Sequence, residues 1–426
     1  MNDDLNLFQA CLKKDERAAA TLVNQLVARA QPSAIWAILM HAAAWHEERT
    51  YDTPHAAILV NAIHNMIGES GPNPSLLNGV SVQSNMALPE DLRENLQRFL
   101  LERLARYLAA VDHWDPERGP RYDTEKRGDS SDNVLHAYVQ AIRERDHVGA
   151  LRAVATLAAQ GSHTRLLRMT ATLGAERPDR LGHAFILPVS LLSELPAPRF
   201  TMPHEAGLWH LTEYLVRKVP NRRPSGFDPE TNYAETAPPS SVSEYRDLYN
   251  RATIDYGILG HNAIFAHRIG IAAKEGTVDS ATIHWLIQQL DQNIGTSQLE
   301  EDDMSVEMLI ENGSGTDWED TPNKILAPHS GPLKTWLEKN IADYWNAMLA
   351  KDSKSFETKL PDIGNEDWSL VRAAQYAMSA LNGRVSASHV MIFAHATWNL
   401  SDLGMIPENL AALQTHRMLR QYLKRS

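Results

Sequence analysis

Four short segments place a histidine at the head of an apolar run: "HAAILVN" at His55, "HAFILPV" at His183, "HNAIFAH" at His261 and "HVMIFAH" at His389. Imidazole is the commonest protein ligand for transition metals, and it binds them in its neutral form. His55 follows Thr53-Pro54, His183 follows Leu181-Gly182, His261 follows Leu259-Gly260, and His389 follows Ser386-Ala387-Ser388. Pro, Gly and Ser before an apolar run mark helix starts. The spacing therefore predicts four histidines in the first turns of four helices, where the positive end of the helix dipole disfavours imidazolium. If those turns face one another, His55, His183, His261 and His389 form the ligand set of one metal centre.

Two of the segments carry a second histidine, His267 and His395, six residues further on. Six residues of ideal helix separate two side chains by about 9 Å along the axis and about 120° around it. One ion cannot be gripped by both from one helix. The expectation is one ligand per helix, with His267 and His395 as alternatives or as residues behind the ligands. Their counterparts in the other two segments are Asn61 and Val189, so the second histidine is not shared by all four. By ligand type, four histidines suit zinc, iron, copper or nickel about equally. Zinc held by four protein ligands is normally structural, whereas iron or copper keeps positions open for oxygen or substrate.

Helices must position these residues, and the chain reads as helical throughout. "LFQACLKKDERAAATLVNQLVARA" and "NLQRFLLERLARYLAAV" carry apolar residues at three- and four-residue spacing. Strand-like alternation is scarce. The units "QACLKKDERAAATL" at Gln9, "QAIRERDHVGALRAV" at Gln140 and "NAMLAKDSKSFETKL" at Asn346 resemble one another, each placing basic residues and an Asp between two helices. His183 lies 43 residues after Gln140, and His389 lies 43 after Asn346. His55 to His183 and His261 to His389 are both 128 residues apart. The expectation is an all-α helical-repeat architecture with two pseudo-duplicated halves, 1–198 and 199–426, sharing a central site. Longer connections are expected over 68–90, 112–133, 219–243 and 294–332.

Composition narrows the function. The chain has 426 residues, 43% hydrophobic and 22% charged, with a net charge of −12. An acidic chain lacks the basic face that phosphate contacts need, so no nucleic-acid partner is expected. Cys11 is the single cysteine, which excludes an internal disulfide and a cysteine-based metal site. No signal peptide or membrane span is visible, and a cytoplasmic location is expected. "HAAAWHEERTYDTPH" does not have HExxH spacing, although Glu47 or Asp52 could add a carboxylate to the cluster. The acidic stretch 299–320 does not match an EF-hand, and the glycine-containing stretches lack phosphate-binding patterns.

"GHAFILPVSLL" and "GHNAIFAHRIGIA" resemble the histidine-rich helical segments of the questin oxidase-like family, and also helical domains beside Rieske-type modules in some bacterial proteins. The resemblance covers four short segments and the all-helical setting. It implies a non-haem iron, Fe(II), held by several histidines, and oxygen-dependent oxidation or ring cleavage of an aromatic small molecule. Carried over by position, the candidates are His55, His183, His261 or His267, and His389 or His395. Some members place a lysine that becomes carboxylated after a ligand histidine, and this chain has no His-Lys dipeptide. The expected function is a metal-dependent oxygenase acting on an aromatic or apolar small molecule, with iron as the metal and zinc or copper as alternatives. The rival expectation is a non-catalytic helical-repeat protein that binds a protein or small-molecule partner.

Overall fold

Lys14-Asp15 and Arg145-Asp146 show how this chain turns from one helix into the next. Lys14 and Arg145 both adopt the left-handed conformation, with φ of 59° and 63°. Each closes the helix before it, and the next backbone N–H reaches back into the last turn, from Asp15 to Ala10 and from Asp146 to Ala141. Each aspartate then starts the following helix. Its carboxylate accepts the backbone N–H of Ala18 or of Gly149, at 2.9 Å in both cases. A left-handed closing residue followed by an Asp cap is an efficient helix–turn–helix device, because it satisfies orphan groups of both helices within two residues. The likeness between the units at Gln9 and Gln140 is therefore a likeness of backbone.

The computed structural model describes residues 2–29, 32–47, 55–67, 88–115, 130–160, 163–178, 181–192, 205–227, 245–295, 368–380 and 384–423. The expected unit at Asn346, the acidic stretch 299–320, Asp52 and the proposed boundary at 198/199 lie outside these residues, as does most of each expected long connection. The described chain is all-α. Its first eight helices are α1 (Asn2–Leu12), α2 (Glu16–Val27), α3 (Pro32–Ala44), α4 (His55–Met66), α5 (Glu90–Ala110), α6 (Ser131–Glu144), α7 (His147–Ala159) and α8 (His163–Glu176). There follow α9 (His183–Leu192), α10 (Glu205–Lys218), α11 (Arg246–Ile254), α12 (His261–Glu275), α13 (Ser280–Asn293), α14 (368–379), α15 (Arg384–Asp402) and α16 (Glu408–Leu423). Among the described residues β-pairing is limited to one bridge between His46 and His113. No helix there is long and apolar enough to cross a membrane.

Helices α4, α9, α12 and α15 form a ring at the centre, each packing on the next and α15 closing back on α4. They are buried almost all round, which explains why their sequences carry little amphipathic contrast. The amphipathic helices, such as α2 and α6, pack around them. One hydrophobic cluster runs from Leu7 to Leu419 through all of these elements. Cys11 lies inside it, and burial pushes its thiol up to about 12, so it stays protonated and unreactive.

Two glycines set the spacing of the ring. Gly182, with φ of +77°, leads into α9, and Gly260, with φ of +85°, leads into α12. A Cβ on Gly182 would lie 2.7 Å from the Phe265 ring, and one on Gly260 would lie 2.4 Å from the Phe393 ring. Phe265 and Phe393 each stand four residues after the histidine that heads the same apolar run. Each phenylalanine thus fills the hollow left by a glycine on the preceding helix of the ring. The shared "IFAH" wording is first of all a record of this packing.

The turn chemistry makes one fold-level prediction. Asp146→Ala removes the cap of α7 and should lower stability by about 1 kcal/mol. Urea denaturation followed by circular dichroism would read it, and an unchanged midpoint would show that the cap contributes nothing.

Candidate metal centre

The ring brings His55, His183, His261 and His389 together. Each offers one ring nitrogen, and these four atoms lie within 4.8 Å of one another. Ring contacts run from His55 to His183, to His261, to His389 and back to His55, with centroids 4.3–5.1 Å apart. The cyclic order of the four histidines is the order of the sequence. Among the described residues no carboxylate or thiol joins the group. Glu47 is buried but stands apart from it, hydrogen-bonded through its backbone N–H to the Asp112 carbonyl.

Three of the expected helix starts are observed: α4, α9 and α12 begin at His55, His183 and His261. His389 departs from the expectation. It is the sixth residue of α15, in the second turn. The physical difference lies in what precedes each histidine. Gly182 and Gly260 take positive φ and break the backbone just before the histidine, whereas Ser386-Ala387-Ser388 contains no such break and continues as helix. Among the four, the α15 dipole end is therefore displaced from the ring centre.

His183 Nε2 lies 3.2 Å from His55 Nε2 and 2.9 Å from His261 Nε2. The His261 Nδ1–H donates to the Ile258 carbonyl at 2.6 Å, which leaves a lone pair on His261 Nε2. A ring nitrogen carries one hydrogen or one lone pair. If His183 Nε2 donates to His261, its single hydrogen cannot also make a full bond to His55 at 3.2 Å. Among neutral rings, that one hydrogen serves only one of the two neighbours at full strength. A cation at the centre takes every lone pair at once. Metal–imidazole bonds of about 2.0–2.1 Å hold neighbouring nitrogens roughly 3.0–3.4 Å apart, close to the two separations here. These two separations fit an ion, and the full set, spread over up to 4.8 Å, would draw in to coordinate one.

Burial supplies the protonation state. His55, His183, His261 and His389 are all buried in the core. Desolvation lowers His55 to about 4 and His261 to about 3 and holds His183 well below the usual imidazole range, with neighbouring histidines adding to the effect on His183. His55, His183 and His261 are neutral at physiological pH, the form that coordinates.

His267 and His395 are also brought together, but elsewhere on α12 and α15. They stack edge-on with centroids 5.0 Å apart. His267 Nε2 pairs with Asn399 Oδ1 at 2.7 Å, and neither His395 nitrogen has a hydrogen-bond partner among the described residues. Burial first, and the neighbouring buried guanidinium of Arg268 in addition, hold both rings well below the usual imidazole range, and the guanidinium makes the spot hostile to a cation. They lie outside the four-histidine group.

Sequence reading missed a further histidine group. His46 Nδ1 donates to the Asp112 carbonyl at 2.7 Å, and His113 Nε2 donates to that of Leu108 at 2.6 Å. His210 on α10 interacts electrostatically with His46, and His46 with His55. Nothing in the spacing of residues 46, 113 and 210 announces this, because three separate elements supply them. His41 instead lies tilted against Phe8, and His64 of α4 stacks on Trp36.

The chain matches no family model, no curated protein and no solved structure.

Two predictions follow from the histidine placement. His183→Ala and His261→Ala should each abolish stoichiometric metal binding, while His395→Leu should retain it and change stability by no more than about 1 kcal/mol, since it removes a polar group with no partner. Elemental analysis of the purified variants decides; retention of metal by both alanine variants would refute the ligand set. The second concerns acid. Desolvation lowers His46 to about 4 and His210 to about 3, whereas in the unfolded chain they titrate near 6.5. The unfolded chain therefore binds protons first, and metal-free protein should lose stability as pH falls from about 6.5 towards 4, by about 1.4 kcal/mol per pH unit for each such ring. Melting temperatures at pH 8 and pH 5 test this; equal values would show that these rings are not buried neutral.

Proposed function

We propose that this chain is a metal-dependent oxidoreductase, a non-haem iron oxygenase acting on an aromatic or apolar small molecule. The observation that supports it is the convergence of four imidazole nitrogens on one buried point. Four nitrogen donors leave two positions free on a six-coordinate ion such as Fe(II). Iron bound there would supply the one-electron chemistry that dioxygen requires of a partner. The chain's own part is to orient and to exclude water. The Ile258 carbonyl holds the His261 tautomer, Gly182 and Gly260 bring adjacent ring helices to close approach, and the packed helices keep solvent from the centre. The resemblance of the histidine-headed segments to the questin oxidase-like family supports the same reading.

A second reading is favoured by the same burial. Four protein ligands from four helices are the usual description of a closed structural ion, zinc above all. In that case the ion ties the ring together and the chain performs no redox chemistry.

Elemental analysis and oxygen uptake separate the two. The oxygenase reading expects about one iron per chain and dioxygen consumption that depends on an added aromatic substrate and is lost on chelation. One zinc per chain with no oxygen uptake after iron exchange would establish the structural reading. Absence of stoichiometric transition metal, with stability unchanged by chelators, would overturn both and leave a helical scaffold with packed histidines.

A further inference from the structure

The four histidine rings touch along the sides of their ring and not across it. Neighbours have centroids 4.3–5.1 Å apart. Contacts between histidine rings reach 6.4 Å elsewhere, at His46 and His113. Yet among the described residues no ring contact joins the diagonal pairs, His55 with His261 or His183 with His389. Four rings disposed as a tetrahedron are equidistant, so diagonal partners would touch as closely as neighbours. At the corners of a square the diagonals are about 1.4 times the side, roughly 6–7 Å here, at the outer limit of ring contact. The helices repeat the pattern. α4, α9, α12 and α15 pack along the sides, and the diagonal pairs, α4 with α12 and α9 with α15, share no comparable packing among the described residues. The nitrogens agree. His183 Nε2 stands 3.2 Å and 2.9 Å from its two neighbours, while the whole set spans up to 4.8 Å. With bonds of about 2.0–2.1 Å, a tetrahedral set has every nitrogen pair roughly 3.3 Å apart, whereas a square set has neighbours roughly 3 Å apart and opposite corners roughly 4 Å apart. A mixture of short and long separations belongs to the square. Neighbouring rings are turned 59–89° to one another, a propeller pitch that lets four flat rings surround one plane without collision.

From a ring whose sides are in contact and whose diagonals are not, we infer that His55, His183, His261 and His389 form the equatorial plane of a tetragonal metal centre, with one coordination position on each face of that plane. The inference rests on the metal centre of the proposed function and deepens it by fixing where anything else on the ion must bind. Any further ligand, from the chain or from solution, takes one of two positions on opposite sides of the ion. Two such ligands stand across the ion from each other and not side by side. Tetragonal nitrogen sets suit Cu(II) and Ni(II), and a six-coordinate ion such as Fe(II) completes them with the two face positions. Zinc has no geometric preference from its filled d-shell and is normally held by four protein ligands as a tetrahedron, so it gains nothing from a plane. Drawing the rings into a tetrahedron would bring diagonal partners together, against the side-by-side packing of the helices and the phenylalanines seated on Gly182 and Gly260.

Cobalt(II) is the deciding probe, because with four nitrogen donors it adopts a tetrahedron unless the protein holds the donors otherwise. The full chain is stripped with chelator and loaded with Co(II) under anaerobic conditions, and separately with Cu(II), with stoichiometry checked by elemental analysis. Visible absorption reads the cobalt form and electron paramagnetic resonance reads the copper form. The expected result is that Co(II) shows only the weak visible absorption of a plane of donors with ligands on its faces. Cu(II) should give an axial spectrum with superhyperfine splitting from four nitrogens. The intense visible band of tetrahedral Co(II) would overturn the inference and, with iron-dependent oxygen uptake intact, leave the proposed function standing. Copper splitting from fewer than four nitrogens would put a ring outside the plane and overturn the inference as well. Failure to bind any of these metals would bring down the proposed function too.

Discussion

Four imidazole nitrogens converge on one buried point, and this crowding organises the centre of the molecule. The His183 ring lies within hydrogen-bonding distance of two others, while the His261 tautomer is set by the Ile258 carbonyl. Bringing such groups out of water is costly unless each finds a partner. A cation could partner all four. The ring of helices, the glycines that let adjacent members approach, and the burial that keeps the rings neutral all serve that convergence.

The same arrangement explains why six-residue histidine pairs recur without being two-histidine grips. His261 and His389 face the ring centre, while His267 and His395 meet each other elsewhere along α12 and α15 beside a buried arginine. Between them Phe265 and Phe393 each close a glycine hollow on the neighbouring helix. One helix thus carries the candidate ligand and, four residues on along the same face, the phenylalanine spacer, with the second histidine about 120° round from the first. The spacing of 3.6 residues per turn separates the two histidines.

Around the ring the fold is held by repeated local devices. The left-handed Lys14 and Arg145, each followed by a capping aspartate, turn α1 into α2 and α6 into α7 in the same way. Pro188 inside α9 lacks the N–H that would bond the Ala184 carbonyl, and Gly174 of α8 lies against that carbonyl, where a Cβ would stand only 1.9 Å away. Close approach of α8 to α9 is thereby bought with a missing hydrogen bond, and it seats the helix that presents His183.

By itself the sequence determined the all-α class, the helix starts at His55, His183 and His261, and the choice of one histidine per segment as the candidate ligand. These follow from local physics: apolar periodicity, glycine and proline at helix starts, and the 100° step between residues. It misplaced His389 within its helix, since Ser-Ala-Ser is compatible both with a cap and with another turn of helix. Only the tertiary structure decided that four segments scattered from residue 55 to residue 389 close into one ring, that Glu47 stands apart from it, and that His46 and His210 come together. Such meetings depend on packing between distant elements, and no local periodicity records which faces will touch.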